Sequence, residues 1–143
     1  MTGPADLTLV VTRFIAASPQ RLFQAWTSPQ HLTKWWGPPG GHCVAAAVQP
    51  TVGATYRLDN ALADGRLVSI TGTFIRVDEP HLLVYTWHIE EETVTPELVT
   101  VTFTGRDGGT EVTVRHERIV DADTHRSHAR GWLACLDRLA AYA

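Results

Sequence analysis

The sequence predicts an α+β fold: a curved antiparallel sheet of about six to seven strands, wrapped around one long C-terminal helix, with two short helices after the first strand. Three observations carry this expectation. Apolar and polar residues alternate with period two through much of residues 42–117. Two Ser-Pro pairs, Ser18-Pro19 and Ser28-Pro29, each open a stretch with apolar residues at helical spacing. The segment from Asp121 onward carries one apolar stripe at spacings of three and four.

The elements follow in order. Leu7 to Ile15 is β-rich and partly alternating, a first strand. Ser18 then offers an oxygen to an orphan helix N–H, and Pro19 has no N–H to lose. Leu22, Phe23 and Trp26 give that helix its inner stripe. Ser28-Pro29 repeats the chemistry, with Leu32, Trp35 and Trp36 behind it, and Gly37-Pro38-Pro39-Gly40-Gly41 ends the second helix. Strands are expected over His42 to Gln49, Thr55 to Asn60, Arg66 to Val77, His81 to Ile89, Glu97 to Gly105 and Glu111 to Glu117. Asp107-Gly108-Gly109 supplies residues that tolerate positive φ and so a tight hairpin. Asp121 caps the last helix, whose stripe is Ala129, Trp132, Leu133, Leu136, Leu139, Ala140 and Ala143. Strands that alternate need cover on one face, and a long amphipathic helix supplies it.

Composition bounds the function. At 143 residues and 44% hydrophobic, the chain reads as one domain spanning 1–143, able to bury a core without disulfide or metal. The formal charge of −3 and the absence of any Lys/Arg run speak against a general nucleic-acid binder, which needs a basic excess for phosphate. No apolar run reaches the roughly 20 residues of a membrane span. Met1 to Asp6 lacks the plan of a signal peptide. Cys43 and Cys135 form neither a metal motif nor a framework and read as reduced thiols in a cytoplasmic protein.

At Trp35-Trp36-Gly37-Pro38, after a Ser-Pro-capped helix, the sequence resembles the tryptophan signature of the stand-alone domain homologous to the activator of the heat-shock ninety chaperone ATPase. That family lies in the START-like, or helix-grip, superfamily. The resemblance continues in Gly53 to Arg57, Gly72-Thr73-Phe74, Glu79 to Trp87, Val99 to Phe103, and Gly131-Trp132 to Leu139, and so covers nearly the whole chain. Two positions depart from the pattern: the usual Gly-Gly before the third strand reads Val52-Gly53, and an acidic residue ahead of it is absent. The resemblance implies a deep, mostly apolar cavity between sheet and C-terminal helix. Relatives bind lipids, polyketides or other hydrophobic molecules, and some are cyclases or aromatases. The chaperone role belongs to a larger protein and carries over poorly.

Strand parity nominates a wall for such a cavity. Tyr56 and Leu58, Phe74, Tyr85 and Trp87, Phe103, and Val114 with His116 each fall on the face chosen as inward. Trp35 and Trp36 are either a lid on the ligand or plugs in the core, and Trp132 is either cavity wall or core support. His116 stands out among the seven histidines because it ends an apolar face; an imidazole there anchors a ligand or acts as acid or base, with Tyr56 as the companion candidate. His125 and His128 stand at i, i+3: either they share a ligand from one helix face or both are solvated, and His128 is counted with the ligand-binding set. No His or Cys pair has ligand spacing, so neither metal nor cofactor is expected. Glu90-Glu91-Glu92 reads as a solvated acidic loop. The expected function is binding of a small hydrophobic or aromatic molecule. The alternatives are a cofactor-free enzyme working by proton transfer in the same cavity, and a protein-interaction module related to chaperone activators. A homodimer is compatible with all three.

Overall fold

The computed structural model describes residues 7–89 and 95–143. Met1 to Asp6 and the acidic Glu90-Glu91-Glu92 lie outside them. The chain runs β1 (Leu7–Ile15), α1 (Pro19–Thr27), α2 (Pro29–Trp35), β2 (His42–Ala47), β3 (Thr55–Ala61), β4 (Leu67–Asp78), β5 (Leu82–Ile89), β6 (Glu97–Arg106), β7 (Gly109–Ile119) and α3 (Ala122–Tyr142). The seven strands form one antiparallel sheet in the order β1-β7-β6-β5-β4-β3-β2. This is the α+β, helix-grip architecture that the sequence predicts: every neighbouring pair along β2–β7 is a hairpin, and β1 closes the far edge against β7.

Local chemistry explains the boundaries. The Ser18 hydroxyl accepts the Arg21 N–H at 3.2 Å, and Asp121 accepts the Thr124 N–H at 2.8 Å. Ser28 departs from expectation. It is also the C-cap of α1, and its hydroxyl donates to Gln30 Oε1 at 2.9 Å instead of capping α2. Gly108 takes a φ of +81° between paired Arg106 and Gly109, making the tightest hairpin of the sheet.

Alternation settles the faces. Val99, Val101 and Phe103 are buried, as are Leu83, Tyr85 and Trp87, and Val112, Val114 and His116. β7 then breaks its own parity. Arg118 adopts a φ of +68°, the β1 register shifts opposite it, and Ile119 turns inward one residue out of phase. α3 packs chiefly along β1, with lesser contact to α2 and β7, and buries Trp132, Cys135, Leu136 and Leu139. α1 and α2 close one end of the concave face. All five tryptophans join in a single cluster there: Trp26 to Trp35 at 5.0 Å between ring centroids, Trp36 to Trp132 at 5.3 Å, Trp87 to Trp132 at 5.4 Å.

Candidate functional site

α3 lies over the β1–β7 side, so the β3–β5 side is covered by something else. The cover is the loop after α2. Arg138 on α3 donates to the carbonyls of Gly41 and Pro38 at 2.9 and 3.1 Å, and the Cys135 thiol donates to the Gly37 carbonyl at 3.0 Å. Beneath this anchored loop lies a cavity of about 230 Å³. The indoles of Trp36, Trp87 and Trp132, with Ile70, form an apolar side, and Asn60 and His128 bring polar groups to it. Gly131 lines it too, and a Cβ added there would meet nothing within 4 Å.

Two atoms of the wall residues find no hydrogen-bond partner among the described residues. Asn60 is buried, and its amide nitrogen donates to the Leu58 and Val68 carbonyls. Those two acceptors orient the amide, leaving Oδ1 without a partner. The buried Trp87 Nε1 has no partner either.

At the β6–β7 end, two histidines converge on one carboxylate oxygen. His116 Nε2 lies 2.6 Å and His128 Nε2 2.9 Å from Glu97 Oε1. The imidazoles stack at 4.6 Å. The Trp132 N–H donates to His116 Nδ1 at 3.0 Å. An indole nitrogen only donates, so Nδ1 must be bare and the His116 proton sits on Nε2, facing Glu97. Burial lowers the His116 pKa, against the opposing pull of Glu97, and keeps the ring neutral. Burial raises the Glu97 pKa, but the N–H groups of His116 and His128 outweigh it and hold the carboxyl at about 2. Glu97 is therefore an ionised carboxylate, 4% exposed, with imidazoles as its partners.

The same three side chains place one oxygen and two nitrogens within 4.8 Å of one another, a donor set that suits a divalent cation. Their geometry fits a proton network better. Glu97 Oε1 itself occupies the point on which both imidazoles converge. A metal on His116 Nε2 would also move the proton to Nδ1, against the Trp132 N–H, whereas a ligating histidine normally donates from its other nitrogen.

Of the twelve residues nominated from sequence, Trp36, Trp87, His128 and Trp132 line this cavity. Tyr56, Leu58, Phe74 and Tyr85, with Trp36 and Trp87, instead surround a much smaller apolar space of about 20 Å³. The Tyr56 hydroxyl is spent on the Thr86 carbonyl at 2.6 Å, and burial pushes its pKa well up. Phe103 packs edge-on to Phe23 and Trp26. Val114 is fully buried opposite Val101. Trp35 is core, donating to the Ala25 carbonyl at 2.9 Å. His116 lies behind the cavity wall with both nitrogens occupied. Sequence reasoning missed Glu97, Asn60 and Gly131. Parity held the signal for two of them: Glu97 continues the Val99, Val101, Phe103 face, and Asn60 continues Tyr56 and Leu58.

Comparison with known proteins places the fold in a family. The chain matches the family described as Activator of Hsp90 ATPase homolog 1-like protein over residues 16–143. No curated protein matches it. Among solved structures, a Chromobacterium violaceum protein is 24% identical, with a TM-score of 0.86 and 94% of each chain covered. An AHSA1 protein of Silicibacter pomeroyi is 23% identical (TM-score 0.83), covering 94% of this chain and 96% of that one. An AHSA1-like protein of Aeromonas hydrophila is 25% identical (TM-score 0.77), covering 95% and 91%. No helix among the described residues is long and apolar enough to cross a membrane. With the match spanning nearly all of its length, the chain belongs to the Activator of Hsp90 ATPase homolog 1-like family of START-like domains.

Proposed function

We propose that the chain acts as one ligand-binding domain, taking a small, uncharged, hydrophobic or aromatic molecule into the cavity between the sheet, α3 and the Gly37–Gly41 loop. The cavity itself carries this reading: about 230 Å³, walled on one side by three indoles. A dry cavity of roughly 150 Å³ holds a benzene ring, so this one suits one or two fused rings. Among the described residues no Lys or Arg lines it, and Arg138 is committed to the loop carbonyls. An anionic ligand would find no counter-charge there. The orphaned Trp87 donor and Asn60 acceptor favour a ligand with one polar group on an apolar body.

The test is calorimetric titration with phenol, indole and 1-naphthol, on the wild type and on Gly131→Leu. Leucine at 131 grows into the empty space that Gly131 borders. Saturable binding in the wild type, strongest for the fused rings and lost in a Gly131→Leu variant that remains folded, is expected. Equal binding by the two proteins, or none by either, would overturn the reading.

A further inference from the structure

We propose that this cavity is also a metal-free proton-transfer site, in which His128 is the general base and Glu97 its positioning residue, acting on an uncharged, largely apolar substrate with an acidic C–H. The proposal rests on the binding reading above and adds chemistry to it.

The assignment comes from accounting for ring nitrogens. Glu97 is ionised and accepts from His128 Nε2 at 2.9 Å. Nε2 must therefore carry the proton, and the basic lone pair of neutral His128 resides on Nδ1. That nitrogen has no hydrogen-bond partner among the described residues, and His128 lines the cavity. His116 cannot serve: it lies behind the wall, with Nε2 on Glu97 and Nδ1 receiving the Trp132 N–H. Cys135 cannot either, because burial pushes its thiol up to about 11. Tyr56 is spent on Thr86.

The groups facing His128 are Glu97 from β6, His116 from β7 and the Trp87 ring from β5, with His125 a turn earlier on α3 and turned to the Thr8 carbonyl. Glu97 is the one charged side chain in contact with His128 among the described residues. When His128 accepts a proton, it becomes an imidazolium paired with a buried carboxylate. A carboxylate that fixes tautomer and stabilises an imidazolium is the logic of a catalytic triad without its nucleophile. The step balances within the cavity. The substrate C–H proton passes to Nδ1, and its electron pair moves onto an adjacent electron-withdrawing group. The imidazolium then returns the proton to another atom of the product, and no oxidant or co-reactant is needed.

The probe is 5-nitrobenzisoxazole, an uncharged fused ring. Loss of its C3 proton to a base forms the nitrile, breaks the N–O bond and releases a coloured phenolate. Turnover about 10²–10⁴-fold above buffer is expected, rising with pH as general-base catalysis does. His128→Gln should return it to the buffer rate. Glu97→Gln should slow it by about 10²-fold or more and move the ascending limb to lower pH, because the imidazolium loses its counter-charge. A merely structural role for Glu97 would lower the amplitude without moving the limb. His125→Gln should change nothing. Affinity for the inert, similarly shaped 5-nitroindole is measured in parallel and should survive His128→Gln. Binding of 5-nitroindole with turnover at the buffer rate overturns the proton-transfer proposal alone. Turnover that persists in His128→Gln overturns it as well. Failure to bind 5-nitroindole overturns the cavity reading along with it.

Discussion

Burial keeps His116 neutral between Trp132 and Glu97, and that carries a pH dependence. The folded His116 pKa lies below its ordinary 6.5, so below about pH 6.5 the unfolded chain takes up a proton that the native ring refuses. Glu97 acts in the same direction at lower pH: its folded value of about 2, against 4.5, gives stability that is present above 4.5 and lost on the way down to 2. In both cases the unfolded state binds more protons, so stability rises with pH. Urea midpoints should be flat above about pH 6.5 and fall on acidification in two stages. Trp132→Phe removes the donor facing Nδ1. The His116 imidazole signal in an NMR titration should then shift at higher pH than in the wild type. An unchanged titration would mean that the indole donor has no part in setting it.

Two glycines control their elements for opposite reasons. Gly131 interrupts α3, where glycine is roughly 0.5–1 kcal/mol worse than alanine, and a Cβ there meets open space. Gly131→Ala should therefore raise stability by about that amount in thermal unfolding, while a larger side chain would fill the cavity. Gly72 in β4 has no such room. A Cβ would lie 1.9 Å from the Thr86 carbonyl oxygen and 2.6 Å from the Tyr56 ring. Tyr56 crosses over Gly72, its cross-strand partner, to reach that same carbonyl. Gly72→Ala should destabilise by about 1–3 kcal/mol, as overpacking does, because β4 or β5 must move. A neutral effect in urea unfolding would show that the strands give way without strain.

The molecule couples its cavity to its global stability. Trp36, Trp87 and Trp132 belong both to the cavity wall and to the five-indole cluster, and the loop above them is tied to α3 through Arg138 and Cys135. A ligand held there would contact the loop after α2, α3 and the sheet at once, and would be released when the chain unfolds. At one hundred times its Kd it should add about 2.7 kcal/mol, a Tm rise of roughly 10 °C for a chain of this length. Scanning calorimetry of the wild type with 1-naphthol should show that rise, and Gly131→Leu should not. A saturating ligand without a Tm shift would place its site outside the cooperative unit.

Alternation, capping and turn chemistry are local, and they were legible. Val99, Val101 and Phe103 on one face, Asp121 as cap and Gly108 in its hairpin follow from nearest neighbours along the chain, and the resemblance that begins at Trp35-Trp36 extended them to the helix-grip fold. The site was legible only in fragments. Glu97 shares the inward parity of Val99, yet a glutamate at a strand end reads as solvated, since carboxylates are almost never buried unpaired. Its partners His116 and His128 stand 19 and 31 residues away, and no local pattern announces them. His116 was visible as an imidazole on an apolar face, but its tautomer depends on an indole from α3. The cavity lies where it does because α3 follows β1 and β7 and leaves β3–β5 to the Gly37–Gly41 loop. That lateral placement of a helix on a sheet is set by the summed packing of distant side chains, which periodicity along one element does not encode.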